Sequence, residues 1–386
     1  MDLGALLPEL TKGLTNFTLG NAVMILAGLV LVYLAVAKEY EPVLLLPIGF
    51  GCILANIPLS GLTANADGMM KVIYDAGIKT ELFPLLIFIG VGAMIDFSPL
   101  LSQPRMVLLG AAGQFGIFGT LILAILLGFP LNQAASIGVI GAIDGPTSIF
   151  VASKLAPELL APIAVAAYSY MSLIPIIQPP LMRLLTTKKE RLIRMEYAPK
   201  PISQSTLVAF PIVLTLAVGL LVPEATPLIS MLMLGNLLKV SGVVGRLSKA
   251  AENEIINIAT LFLGLAVGST MTASAFLNWA TLQIMLLGLL AFALDTVAGL
   301  LFGKLMCFLS GGKINPLIGA SGISAFPMAG RLAAKMASEE DPDNFILMHA
   351  MGANTAGQLG SVMAGGILVG SVSKLVECGI KVNTRF

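Results

Sequence analysis

Twelve apolar runs follow one another along the chain, at roughly 18–37, 43–60, 82–97, 106–129, 134–154, 157–182, 205–222, 227–240, 255–272, 282–303, 314–332 and 343–372. A helix needs about 20 such residues to cross the hydrocarbon of a bilayer, and it satisfies its own backbone polar groups while doing so. The chain therefore reads as an all-α polytopic membrane protein with ten to twelve spans. The shorter runs read as half-helices, tilted ends or re-entrant pieces. A charged fraction of 11% and a mean hydropathy of +0.94 agree with this. The net charge of +1 suggests no nucleic-acid partner. Cys52, Cys307 and Cys378 are scattered in apolar surroundings and form neither a metal spacing nor a disulfide framework. Residues 1–17 read as an interfacial amphipathic lead-in rather than a cleaved signal.

The loop "RLLTTKKERLIRMEYAPK", 183–200, carries six Lys or Arg and is expected on the cytoplasmic side. It divides the chain into a first repeat, 1–186, a linker, 187–204, and a second repeat, 205–386. "DGPTSIFVASKLA" at 144–156 pairs without gaps with "SGISAFPMAGRLA" at 321–333. Asp144 then meets Ser321, Thr147 meets Ser324, and Lys154 meets Arg331. Transporters commonly carry such repeats, with the site where interrupted helices cross near the bilayer midplane. The pairing leaves parallel and inverted arrangements both open.

Within the run 134–154 stands "GAIDGPTSIF", a carboxylate followed at once by Gly145-Pro146. Pro146 lacks an N–H and Gly145 is pushed out of helical geometry, so carbonyls of the preceding turn lose their partners. Such a break survives in a membrane only inside protein or beside a polar cavity. A lone acid there costs at least ~2.5 kcal/mol and points to function. Freed carbonyls beside one carboxylate suit a hard cation. The second break, "GGKINPLIGASGISAFPMAGRLAAK" at 311–335, offers Asn315, Gly319, Ser321 and Ser324 with no carboxylate. Following helices add Tyr168, Tyr170 and Gln178, and then Asn354, Thr355 and Gln358. One acid with neutral oxygens suits Na+ or H+ better than Ca2+ or a transition metal. Gly352 and Gly357 read as packing residues, His349 as a packed polar group, and Asp96 as an interfacial cap. Asp295 lies deeper and awaits a cation partner.

On these same residues the chain resembles the membrane β subunit of the Na+-pumping biotin-dependent decarboxylases, which serve oxaloacetate, methylmalonyl-CoA, glutaconyl-CoA and malonate. "GAIDGPTS" stands where the family pattern is nearer "GGADGPTA", with Asp144 and the Gly-Pro pair intact. The resemblance implies a subunit that decarboxylates carboxybiotin, couples this to Na+ export and consumes a proton. It implies Asp144, Asn315, Gly319, Ser321, Ser324 and Asn354 around the ion, and Tyr170 as a proton relay. Arg331 would hold the carboxybiotin anion, with Lys154 as a second candidate. Implied partners are a carboxyltransferase, a biotin carrier and a small membrane-anchor subunit, in a homotrimeric assembly at the inner (cytoplasmic) membrane. A secondary transporter, either a Na+/H+ antiporter or a Na+-coupled symporter, is the competing class. The choice of substrate acid resides outside this chain.

Overall fold

The structure is a computed structural model that describes residues 11–62, 67–142, 144–196 and 201–378. Residues 1–10 of the expected lead-in, 197–200 of the linker and 379–386 of the tail lie outside the described residues. Among the described residues the secondary structure is entirely helical. Six helices are long and apolar enough to cross a membrane, and two bent pairs bring the number to eight. Length thus supports fewer crossings than the ten to twelve read from hydropathy. The largest single reason is that the runs 134–154 and 314–332 are not spans at all.

Each of those two runs folds back as a hairpin. The first descends through Leu131–Gly138, turns, and returns through Gly145–Leu155. Its two ends are tied together, since Asn132 Nδ2 donates to the Leu155 carbonyl (2.8 Å) and Gln133 Nε2 to the Glu158 carboxylate (2.8 Å). The second enters as the short 3-10 helix Pro316–Ser321 and leaves as Met328–Glu340. Its base is tied to the basic linker. Asn315 Nδ2 donates to the carbonyls of Arg191 (3.0 Å) and Ile193 (2.9 Å), and Arg191 pairs with Glu340 (2.7 Å).

The helix Leu160–Leu185 starts at the base of the first hairpin and ends at the linker that holds the second. Its 26 residues give about 39 Å at roughly 1.5 Å per residue, enough to pass between the two faces of a bilayer. It bends by 61° near residue 172. The cause is Pro175, which removes a hydrogen bond to the turn before it and clashes with that turn's carbonyl. This bent helix therefore links the base of one hairpin to the base of the other, and their tips meet inside. Ser324 donates to the Ala142 carbonyl through both its N–H (3.2 Å) and its hydroxyl (2.7 Å).

The linker is held by charge. Arg194 grips Asp341 through two donors (2.7 and 2.9 Å), which lowers that carboxyl below its ordinary range. Asp341→Asn should loosen the linker without reaching the hairpin tips. Trypsin cleavage after Arg194 is expected to quicken several-fold, and an unchanged rate would show that the pair does not hold the loop.

Candidate functional site

Asp144 caps the helix Gly145–Leu155. Its Oδ1 accepts from the Thr147 N–H (2.8 Å), one of the first-turn donors that otherwise lack a partner. The other oxygen accepts from Gln358 Nε2 at 2.5 Å. Gln358 lies on Leu347–Glu377, one turn after Asn354 on the same helix face. Asn354 in turn donates to the carbonyl of Ile323, in the tip of the second hairpin (2.6 Å). One helix face therefore stitches both tips together. Asn354 Oδ1, buried, has no hydrogen-bond partner among the described residues, and neither does the Ser148 hydroxyl on the first turn after Asp144. These orphaned oxygens, with the Asp144 carboxylate and the Ser324 hydroxyl, are what a desolvated Na+ would need.

A cavity of about 340 Å3 reaches this point, with Asp144, Tyr168, Ser324 and Gln358 on its wall. Its far wall carries Glu41, Met94 and Glu252. The Met94 carbonyl accepts from Lys239 Nζ (2.9 Å), and the Val240 carbonyl beside that lysine accepts from Gln204, the last residue of the linker. The cavity therefore opens toward the face that carries the basic linker. Glu41 starts the helix Pro42–Ala55 without capping it, and burial pushes its carboxyl up.

Of the residues read from the sequence, Asp144, Tyr168, Ser324, Asn354 and Gln358 come together. The proposed ligands Asn315, Gly319 and Ser321, the cations Lys154 and Arg331, and Tyr170 do not. Asn315 spends its oxygen on the Leu317 N–H (3.0 Å) and its amide on the linker, so it braces the hairpin base. Gly319 is where the second hairpin meets the helix Trp279–Leu309, because a Cβ there would strike the Gly299 carbonyl. Ser321 donates weakly to the Ala329 carbonyl (3.4 Å). Lys154 pairs with Glu81 (2.8 Å) and covers the Phe150 ring, and is not free for an incoming anion. Arg331 is exposed on the first turn of Met328–Glu340, just after the tip of the second hairpin.

Tyr170 does not line the cavity. Its ring packs on Gly288 and its hydroxyl donates to the Met285 carbonyl. Tyr168 is the phenol beside Asp144, its ring filling the space that a Cβ on Gly145 would take. The two tyrosines lie about 200° apart around one helix, so spacing alone does not choose between them. Sequence pattern does not mark Glu41 and Glu252, because an acid at a helix start reads as an ordinary interfacial residue. Asp96 caps the Ser98 N–H (2.9 Å) as expected. Asp295 meets no cation among the described residues and accepts instead from the Gly116 N–H (2.5 Å).

A family model described as the Na+-transporting oxaloacetate decarboxylase beta subunit matches residues 20–372. The methylmalonyl-CoA decarboxylase subunit beta of Veillonella parvula is 54% identical over 362 residues, 94% of this chain and 96% of that one. The glutaconyl-CoA decarboxylase subunit beta of Acidaminococcus fermentans is 53% identical over 361 residues, with the same two coverages. The oxaloacetate decarboxylase beta chain of Klebsiella pneumoniae is 46% identical over 428 residues, covering 95% and 98%.

Proposed function

The chain belongs to the family of Na+-transporting decarboxylase beta subunits, and from that premise we propose that it decarboxylates carboxybiotin and uses the step to export Na+. The observation that carries this reading is Asp144. A single carboxylate stands where two hairpins touch, among buried oxygens that lack partners. Loss of CO2 from the N-carboxy group breaks the N–C bond and leaves its electron pair on nitrogen, which must take up a proton. One proton is consumed per turnover. Na+ and H+ compete for the same oxygens at Asp144, so arrival of the ion releases the proton and the leaving nitrogen accepts it.

Arg331, just after the tip of the second hairpin, is the cation suited to a planar carboxylate. Carboxybiotin reaches it on a carrier subunit, loaded by a carboxyltransferase, with a small membrane subunit completing a trimeric complex. Residues 1–186 and 205–386 act as the two repeats. Tyr170 relays the proton once the tips move relative to Trp279–Leu309, since at rest its hydroxyl is held by Met285. Tyr170→Phe is expected to cut the decarboxylation rate by roughly 100-fold or more, the scale of a lost general acid. Full parental rate, with parental pH and Na+ profiles, would remove Tyr170 from the proton path.

The test of the whole reading is reconstitution. The complex in sealed vesicles should take up 22Na+ on addition of its substrate acid, and avidin should stop it. Decarboxylation indifferent to Na+ would overturn the reading.

A further inference from the structure

We propose that Glu41 and Glu252 form an outer cation station, from which an ion passes down the cavity to Asp144. The proposal rests on Asp144 being the ion ligand and adds where the ion comes from. Among the described residues Glu41 makes no ion pair and no cap, although it begins a helix. Its backbone sits at φ 38° and ψ 57°, a left-handed conformation that Glu81 also adopts at the start of its helix, there with Lys154 as a partner. Glu252 stands across the same cavity in the π-helical turn Ala251–Ile255.

A second observation points to a ligand. Thr260, on Ile256–Ser269, is only 6% exposed, lines the cavity, and has no hydrogen-bond partner for its hydroxyl among the described residues. A hydroxyl open to the cavity and bonded to no neighbour has its lone pairs free for an ion that enters there. Tyr168 lines the same cavity as Asp144, Glu41 and Glu252. Two acids at the mouth, a hydroxyl on the way and an acid at the end make a path graded for a monovalent cation. Low-dielectric walls focus the field of such charges and raise the local cation concentration. The mouth lies on the linker's face, the side from which exported Na+ is drawn.

The experiment measures initial decarboxylation rates of the whole complex against NaCl, with ionic strength held constant by choline chloride. Glu41→Gln and Glu252→Gln should each raise the half-saturating Na+ about three-fold, and the double variant about ten-fold, within the range for focused charge. Thr260→Val should raise it as well. The rate at saturating Na+ should fall much less than the apparent affinity. A double variant within about two-fold of the parent would overturn the station. If the double variant fails to assemble, the unmodified complex decides. Raising choline chloride should then weaken its apparent Na+ affinity, because screening acts on a partly exposed pair more than on a buried ligand, and insensitivity to choline chloride would overturn the proposal. Failure of the underlying reading has a different signature, namely Na+ dependence that survives Asp144→Asn.

Discussion

Asp144→Asn is expected to abolish Na+-dependent decarboxylation while leaving carboxyl transfer to biotin intact. The change is nearly isosteric. An amide oxygen still accepts from the Thr147 N–H, so the helix cap survives. What disappears is the charge. A full charge at about 2.5 Å contributes several kcal/mol even at an effective dielectric near 20, and each 1.4 kcal/mol is about tenfold in affinity. A loss of at least about 100-fold follows from these magnitudes. Gln358 also loses a charged acceptor at 2.5 Å, which loosens the tie between the first hairpin and Leu347–Glu377. The measurement is carboxybiotin turnover against Na+, alongside 22Na+ uptake in vesicles. Retention of parental Na+ uptake would remove Asp144 from the ion site.

Gly145→Ala should be nearly as damaging, although it touches no oxygen of the site. A Cβ on residue 145 falls within the Tyr168 ring, and that ring is only 1% exposed, with nowhere to swing. The hairpin tip or the helix Leu160–Leu185 must shift. Overpacking of this kind costs about 1–3 kcal/mol, and here the shift moves Asp144 itself. We expect a rise of about ten-fold in half-saturating Na+, together with lower thermal stability. Gly141→Ala is the control. Its Cβ meets Ala291 and Asp295 behind the same tip, at 2.5 Å, so stability should suffer comparably. The contact between Tyr168 and residue 145 is left alone, and Na+ affinity should change less. Equal loss of affinity in both variants would mean that packing in general, not the Asp144–Tyr168 contact, sets the ion site.

The two variants also mark how far the sequence can be read. Asp144 is legible because an acid beside a helix breaker in an apolar run is too costly to keep for packing alone. The ungapped match of 144–156 to 321–333 locates both tips, and Ser324 does meet the first hairpin. Hydropathy cannot show that the runs 134–154 and 314–332 turn back, because a hairpin of two half-length helices has the same apolar content as one crossing. Asn315 resembles a ligand because an Asn-Pro step carries the same residues whether its oxygen caps a turn or holds an ion. Lys154 and Arg331 look alike in the alignment, yet Lys154 stands at the base of its hairpin, paired with Glu81, and Arg331 on the first turn after the tip of the other. Glu41 carries no signal beyond an acid before a proline, and only the fold brings it to the cavity.

The one-sided approach to Asp144 has an electrical consequence. A cavity reaches Asp144 from one side, and on the other side the buried helix Gly145–Leu155 and its neighbours fill the space. A transmembrane voltage falls mainly across the driest layer. Each 100 mV sets a load of about 2.3 kcal/mol on a single charge that crosses the whole field. In this architecture the larger part of that load is met between Asp144 and the far end of the packed first hairpin, as the ion leaves the site. Voltage should then act on the pump mainly at the step in which the ion leaves Asp144, and hardly at all on the approach of the ion.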